Sequence, residues 1–301
     1  MKIRGLLTGA SGFLGKAIFK GCSEIEIKTL GRNDINDIIV DLSLNIPKIE
    51  ETFDVVIHAA GKAHLVPKSI EEKQAFFDVN VNGTKNLLFG LNAAKSLPKS
   101  FIYISSVSVY GRDSGTGIAE NTPLNASDPY GCSKIEAEKI VKDWCDKNSV
   151  ICCILRLPLL IGINPPGNLG AMIRGIKKGY YFNIAGGNAR KSMILTEDVV
   201  KIIPIVMDIG GTYNLTDGYH PTFAELALNI SAQCSKRRPL NISYFFAGLI
   251  GKMGDILGDK FPINTVKLKK ITSDLTFDDT KARTTLKWDT TPVLKGIKIK
   301  Q

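Results

Sequence analysis

Histidine and cysteine are scarce in this chain of 301 residues, and neither is grouped. The three histidines, His58, His64 and His220, form no ligand cluster, and the six cysteines, at 22, 132, 145, 152, 153 and 234, include no Cys-x-x-Cys pair. Paired zinc-ligand spacings and a disulfide framework are therefore not read here. No metal is expected, and a reducing cytoplasm suits the chain best. A long apolar run is missing too. The start, Met1 to Thr8, meets glycines after a short apolar segment and offers no cleavage pattern, which argues against secretion. The most membrane-like stretch, Ile242 to Ile250, is far shorter than the roughly 20 residues that span a bilayer. It reads as a buried or lobe-packing helix, with peripheral membrane contact as the alternative. Neither an internal repeat nor a low-complexity segment is present, and the lysines behind the net charge of +10 are scattered, with aromatics rarely interleaved. Nucleic acid is not expected as a partner, and an anionic small substrate explains the charge as well.

What is present has the balance of an ordinary globular protein, 44% apolar and 23% charged. β-rich runs at Ile3–Thr8, Ile25–Leu30, Asp54–His58, Phe101–Ser105 and Val150–Arg156 alternate with helical patterns at Phe13–Cys22, Lys73–Ala94 and Pro129–Lys147. Helices of that length serve as right-handed crossovers between parallel strands, which predicts an α/β, doubly wound parallel sheet of Rossmann type. The rhythm breaks after about Leu160, at the turn-rich Gly162-Ile163-Asn164-Pro165-Pro166-Gly167. The expected division is a core over 1–160 and, over 161–301, a smaller, irregular α/β lobe that returns some segments to the core. Lys295 to Gln301 reads as a solvated basic tail.

Directly after the first strand, Thr8-Gly9-Ala10-Ser11-Gly12-Phe13-Leu14-Gly15 places three glycines at a strand-to-helix turn. Small residues there let backbone approach a pyrophosphate, and the free N–H groups of the helix start face the anion. Gly9, Ser11, Gly12, Phe13, Leu14 and Gly15 are accordingly expected to hold a dinucleotide, which makes 1–160 a dinucleotide-binding core and the remainder mainly a substrate lobe. At the end of the second strand, Arg32 stands where a carboxylate would otherwise hold the ribose hydroxyls of NAD. Its guanidinium suits a 2′-phosphate, so NADP(H) is preferred; if Arg32 is a plain loop residue and Asp34 swings in, NAD(H) is the cofactor. Asp41 and Leu42 border the adenine in this reading.

Tyr130 and Lys134 sit four residues apart on one face of a helix that begins after Asp128-Pro129. Such a pair arises by chance, but its context is informative. Phe101 to Tyr110 is an apolar strand running into hydroxyl residues at its carboxyl edge, where open α/β sheets bind ligands. Ser106 is the chosen catalytic hydroxyl beside Tyr130 and Lys134.

With these segments, Val56-Ile57-His58-Ala59-Ala60-Gly61, Asn80-Val81-Asn82-Gly83-Thr84 and Leu155-Arg156-Leu157-Pro158, the chain resembles the extended short-chain dehydrogenase/reductases, in particular their nucleotide-sugar epimerase, dehydratase and ketoreductase branch. The resemblance implies that Tyr130 exchanges a proton with a sugar hydroxyl or ketone, that Lys134 holds the nicotinamide ribose and that Ser106 hydrogen-bonds the reacting oxygen. It adds Ala59, Ala60, Gly61, Asn80 and Pro158 to the cofactor site. It assigns Val107, Ser108 and Asn168 to the substrate, with Arg190 and Lys191 on its diphosphate; His64 is a loop residue or a substrate contact. Lys191 replaces the usual arginine and lacks its bidentate fork.

Where the dehydratases carry Asp-Glu, this chain has Val107-Ser108, so water elimination lacks its acid and base. The resemblance then implies reduction of a UDP-4-keto-6-deoxy-N-acetylhexosamine for surface polysaccharide synthesis. The alternatives are a nucleotide-sugar 4-epimerase with bound NAD and a dinucleotide sensor without activity. Helices Lys73–Ala94 and Pro129–Lys147 are candidates for a homodimer interface.

Overall fold

The structure, a computed structural model, describes residues 2–63, 67–257 and 264–299. In chain order the first half comprises β1 (Ile3–Thr8), α1 (Phe13–Gly21), β2 (Ile25–Gly31), β3 (Ile38–Ile39), β4 (Val55–His58), α2 (Ile70–Phe77), α3 (Gly83–Asn92), β5 (Ser100–Ser106), β6 (Gly115–Ile118), α4 (Pro129–Asn148) and β7 (Ile151–Leu157). There follow β8 (Leu159–Ile161), α5 (Gly167–Lys178), β9 (Phe182–Ile184), β10 (Met193–Leu195), α6 (Thr196–Ile209), β11 (Gly211–Asn214) and α7 (Phe223–Gln233). The last elements are β12 (Leu240–Ile242), α8 (Tyr244–Leu257), α9 (Thr265–Thr272), β13 (Leu275–Phe277), α10 (Thr280–Leu286) and α11 (Val293–Gly296).

Seven strands form one parallel sheet in the order β11-β7-β5-β4-β1-β2-β3. The order reverses direction at β1 and β4, which is the expected doubly wound topology, with ligand space outside the carboxyl edge at that switch point. Its central strands are apolar on both faces because helices cover both. Leu7, Val55, Ile57 and Leu155 pack with α1 and α6 on one side; Leu6, Val56, Phe101 and Ile154 pack with α3 and α4 on the other. Segments after residue 161 complete this core: β11 is its seventh strand, and α6 and α10 lie on its first face.

Among the described residues, other strands make three two-stranded sheets, β10-β8, β12-β9 and β13-β6, and α5, α7 and α11 surround a separate apolar cluster that includes Leu169, Met193, Leu226 and Val293.

Two expected helices differ from the reading of the sequence. The pattern over Lys73–Ala94 is α2 and α3 joined by a π-helical turn, Asp78–Asn82, which turns the Asn80 side chain inward. Such a turn inserts one residue into helical spacing without breaking the apolar pattern, and it often marks a functional site. Ile242–Ile250 is the end of β12 followed by α8, and its Tyr244, Phe245, Phe246 and Leu249 side chains are exposed rather than buried.

Candidate active site

The glycine turn is held by backbone packing. Gly9 has φ +75°, and a Cβ there would stand 2.6 Å from the Ala60 nitrogen. A side chain at Gly15 would drive into the Gly9 carbonyl. These absences bring β1, the start of α1 and the loop after β4 together, with Ser11 and Gly12 left exposed at the opening. Gly12, the N-cap of α1, provides no side-chain acceptor, so no side chain of the cap competes for the first N–H groups, those of Phe13, Leu14 and Gly15. Leu14 is buried in the core, while the Phe13 ring tip would lie 3.1 Å from a Cβ at Gly162, where the lobe begins.

At the end of β2 the Arg32 side chain is 72% exposed, and its guanidinium is 3.9 Å from Asp41. Asp34 is exposed as well. The carboxylate that the sequence reading missed is Asp37, which accepts hydrogen bonds from the Thr29 N–H at 2.8 Å and the Thr29 hydroxyl at 2.9 Å. These bonds hold its pKa below the ordinary range and brace the turn beneath Arg32. Asp41 accepts from Ser43, and Asn86 donates to the carbonyl of Leu42, whose side chain is part of the core.

Ala59 and Ala60 are fixed by a directional chain of hydrogen bonds. The Ala60 N–H donates to the Thr8 hydroxyl (3.1 Å), which pairs with His58 Nδ1 (2.6 Å); His58 Nε2 pairs with the Thr84 hydroxyl (3.0 Å), which donates to the Asn80 carbonyl (2.6 Å). Because Thr84 spends its proton on Asn80, His58 Nε2 must be the donor and Nδ1 the acceptor. Burial first, and the Lys134 charge second, together lower the His58 pKa to about 3, so the ring is neutral and structural. The Asn80 side chain accepts from the Lys62 N–H at 2.7 Å and donates to the Ser133 hydroxyl at 2.9 Å. It lies at Gly61, where a Cβ would be 3.1 Å from Asn80 Oδ1 and 3.3 Å from Lys134 Nζ.

Ser106 closes β5, and its hydroxyl caps the short 3-10 turn Val107–Tyr110 by accepting the Ser108 N–H at 3.2 Å. Opposite, Asp128 caps α4 by accepting the Gly131 N–H, and Pro129 takes the first helical position, where its missing N–H costs nothing. Tyr130 and Lys134 therefore leave the first turns of α4 toward the carboxyl edge of β5. Burial raises the Tyr130 pKa; a hydrogen bond with Ser106 opposes that rise, and the Asp128 charge adds to it. Lys134 Nζ donates to the Ile104 carbonyl at 2.8 Å and to the Tyr103 hydroxyl at 3.2 Å. Burial lowers its pKa to about 8, with Glu138 opposing. Ser106, Tyr130 and Lys134 thus share the place where Gly61 and Asn80 bring the glycine side of the sheet, and the group can hold and pass a proton beside a bound dinucleotide.

A buried pair lies below. Glu138, one turn after Lys134, takes the Arg156 guanidinium on both oxygens, at 3.0 and 2.7 Å, and the Ser105 hydroxyl at 2.6 Å. Arg156 also donates to the Tyr110 hydroxyl at 3.0 Å, and Tyr110 donates to Asn214 at 2.8 Å. The clue was available: Arg156 is the one charge in the strand Ile-Cys-Cys-Ile-Leu-Arg-Leu, and a buried guanidinium needs a carboxylate.

Pro158, Val107 and Ser108 are half-buried at this edge. Asn168 is exposed in the first turn of α5. Arg190 donates to the His220 carbonyl at 3.1 Å and lies over the Tyr219 ring, while Lys191 Nζ donates to the Lys270 carbonyl in the last turn of α9 at 2.9 Å. These two cations therefore brace the lobe, and neither hydrogen-bonds to the Ser106–Tyr130 group. His64 lies outside the described residues. Among the described residues no group of histidine, cysteine and carboxylate side chains could hold a metal ion.

Residues 5–215 match the family described as NAD dependent epimerase/dehydratase. The chain is similar to the N-acetyl-alpha-D-glucosaminyl-diphospho-ditrans,octacis-undecaprenol 4-epimerase of Escherichia coli O157:H7, with 27% identity over 297 residues, 92% of this chain and 87% of that protein. It is also 27% identical over 309 residues to the UDP-glucose 4-epimerase of Vibrio cholerae, covering 94% of this chain and 89% of the relative. The human epimerase family protein SDR39U1, solved with NADPH, has the same fold, with a TM-score of 0.76 and 15% identity over 97% of this chain and 96% of that one.

Proposed function

The chain belongs to the NAD dependent epimerase/dehydratase family, and from that premise we propose that it is an NADPH-dependent reductase of a 4-keto sugar linked to a nucleoside diphosphate, a UDP-4-keto-6-deoxy-N-acetylhexosamine. The observation that carries the choice of reduction is Arg32. Its exposed guanidinium, 3.9 Å from its carboxylate neighbour, suits the 2′-phosphate of NADP(H). NADPH is typically exchanged at each turnover, as net reduction requires.

When bound, the nicotinamide supplies the hydride. Gly9 to Gly15 and the start of α1 hold the pyrophosphate, Arg32 the 2′-phosphate, and Ala59 to Gly61 with Asn80 line the dinucleotide. Tyr130 gives its phenolic proton to the ketone oxygen as the sugar carbon is reduced. Burial keeps that phenol protonated at neutral pH, the state an acid needs. Ser106 orients the same oxygen, and Lys134 holds the ribose while its ammonium supports the phenolate left behind. Val107-Ser108 provides no acid–base pair for dehydration.

A second reading is favoured by the two relatives matched over nine-tenths of the chain, both named as 4-epimerases, one of them for a diphosphate sugar on undecaprenol. In that reading the same tyrosine first removes the proton, and the hydride returns to the opposite face. Incubation with the UDP-4-keto-6-deoxy sugar and NADPH separates the two: stoichiometric loss of NADPH absorbance with a 6-deoxy product supports reduction. In a parallel incubation with a UDP-hexose, interconversion of its C4 epimers with retained cofactor, together with no NADPH loss on the ketone, selects the epimerase.

A further inference from the structure

Helix α8 leaves large apolar side chains in solvent. Its small residues Ala247, Gly251 and Gly254, three or four positions apart, are buried, while Phe245, Phe246, Leu249 and Met253 are 70%, 62%, 48% and 56% exposed. Gly251 faces the start of α9, where a Cβ would lie 3.5 Å from the Thr265 nitrogen. An amphipathic helix ordinarily gives its large apolar side chains to the core, so four of them on the outer face call for a partner. No helix among the described residues is long and apolar enough to cross a membrane. An interfacial helix needs only one apolar face in the headgroup boundary and cations beside it.

Charge selects the partner. Residues 234–273 hold eight Lys and Arg against two Asp, which is +6 of the chain's +10. Lys252 is exposed on α8, Lys267 and Lys269 on α9, and Arg237 and Arg238 on the segment leading into β12. Asp255, the one carboxylate of this stretch among the described residues, accepts the Thr265 N–H at 3.1 Å. A second copy of this chain would bring the same positive excess and be repelled, whereas anionic headgroups would be attracted. We propose that the outer face of α8, with the basic residues around it, docks the substrate lobe on an anionic phospholipid bilayer. Helix α9 connects this face to the lobe's interior through the Lys270 carbonyl that binds Lys191. The docking surface is independent of which sugar the site reduces.

The test is co-sedimentation of the full chain with vesicles of phosphatidylcholine alone and of phosphatidylcholine mixed with phosphatidylglycerol. Binding is expected to the mixed vesicles and to weaken with added salt. Phe245→Ser with Phe246→Ser should reduce it about tenfold or more while NADPH binding is kept, and Arg237→Glu with Arg238→Glu, which leaves the apolar face intact, should reduce it as well. No binding to mixed vesicles, or binding that both variants retain, overturns the proposal. So does a dimer in light scattering that the phenylalanine variant converts to monomer, because the face would then belong to a second copy.

Discussion

Two regions of this molecule invert the usual placement of side chains. Under the candidate active site, Glu138 and Arg156 are charged yet only 2% and 3% exposed, whereas on α8 the Phe245 and Phe246 rings stand in solvent. The buried charges have every partner they need, from each other, Ser105 and Tyr110. The exposed rings have one another, edge to face at 5.7 Å. A buried, satisfied ion pair fixes the relative position of three elements, here α4, β5 and β7, and therefore the Tyr130–Lys134 turn above it. An exposed apolar face fixes nothing within the chain and points to a surface outside it.

The comparison breaks first at Tyr130. Removing its hydroxyl as Tyr130→Phe should lower kcat/KM by about 10²- to 10⁴-fold with the NADPH dissociation constant unchanged; a fall below tenfold would place the proton transfer elsewhere. Stability should divide the two regions just as sharply. Glu138→Ala strands the Arg156 charge and should cost roughly 3–5 kcal/mol in urea unfolding, whereas Phe245→Ser should stay within about 0.5 kcal/mol. Equal losses would mean that α8 is core. Arg32→Ala should weaken NADPH about ten- to a hundredfold and leave NADH untouched, read by fluorescence titration of each cofactor. Equal weakening of both would remove the argument for a 2′-phosphate.

The smallest effect concerns His58. Its folded pKa of about 3 lies below the ordinary 6.5, so the unfolded chain binds the proton first. The stability this provides is complete above pH 6.5 and is lost as the pH falls toward 3. A plot of unfolding free energy against pH should therefore be flatter for His58→Gln across that window; an unchanged slope would mean that His58 is not held neutral.

Much of the core was legible because its strands are apolar on both faces and its glycines, Tyr130 and Lys134 fall at the ends of elements. What was missed lies where sequence spacing is silent. The π-helical turn at Asp78–Asn82 leaves the apolar pattern of Lys73–Ala94 intact, and Asp37 reaches Thr29 only through the turn geometry. Spacing is equally silent on the hydrogen bonds of Arg190 and Lys191 to the carbonyls of His220 and Lys270, contacts that only the folded lobe brings about. Helix α8 defeated the reading for another reason: small residues and large apolar ones both count as hydrophobic, so the sequence did not reveal which face turns inward.

The most direct test of the central claim is the fate of the hydride. With NADPH deuterated at the transferring position of nicotinamide C4 and the UDP-4-keto-6-deoxy sugar, one deuterium should appear on C4 of the product, by mass spectrometry and NMR, for each NADPH oxidised. A product without deuterium, or a ketone left unreduced while the label stays on the cofactor, would contradict reduction at this site.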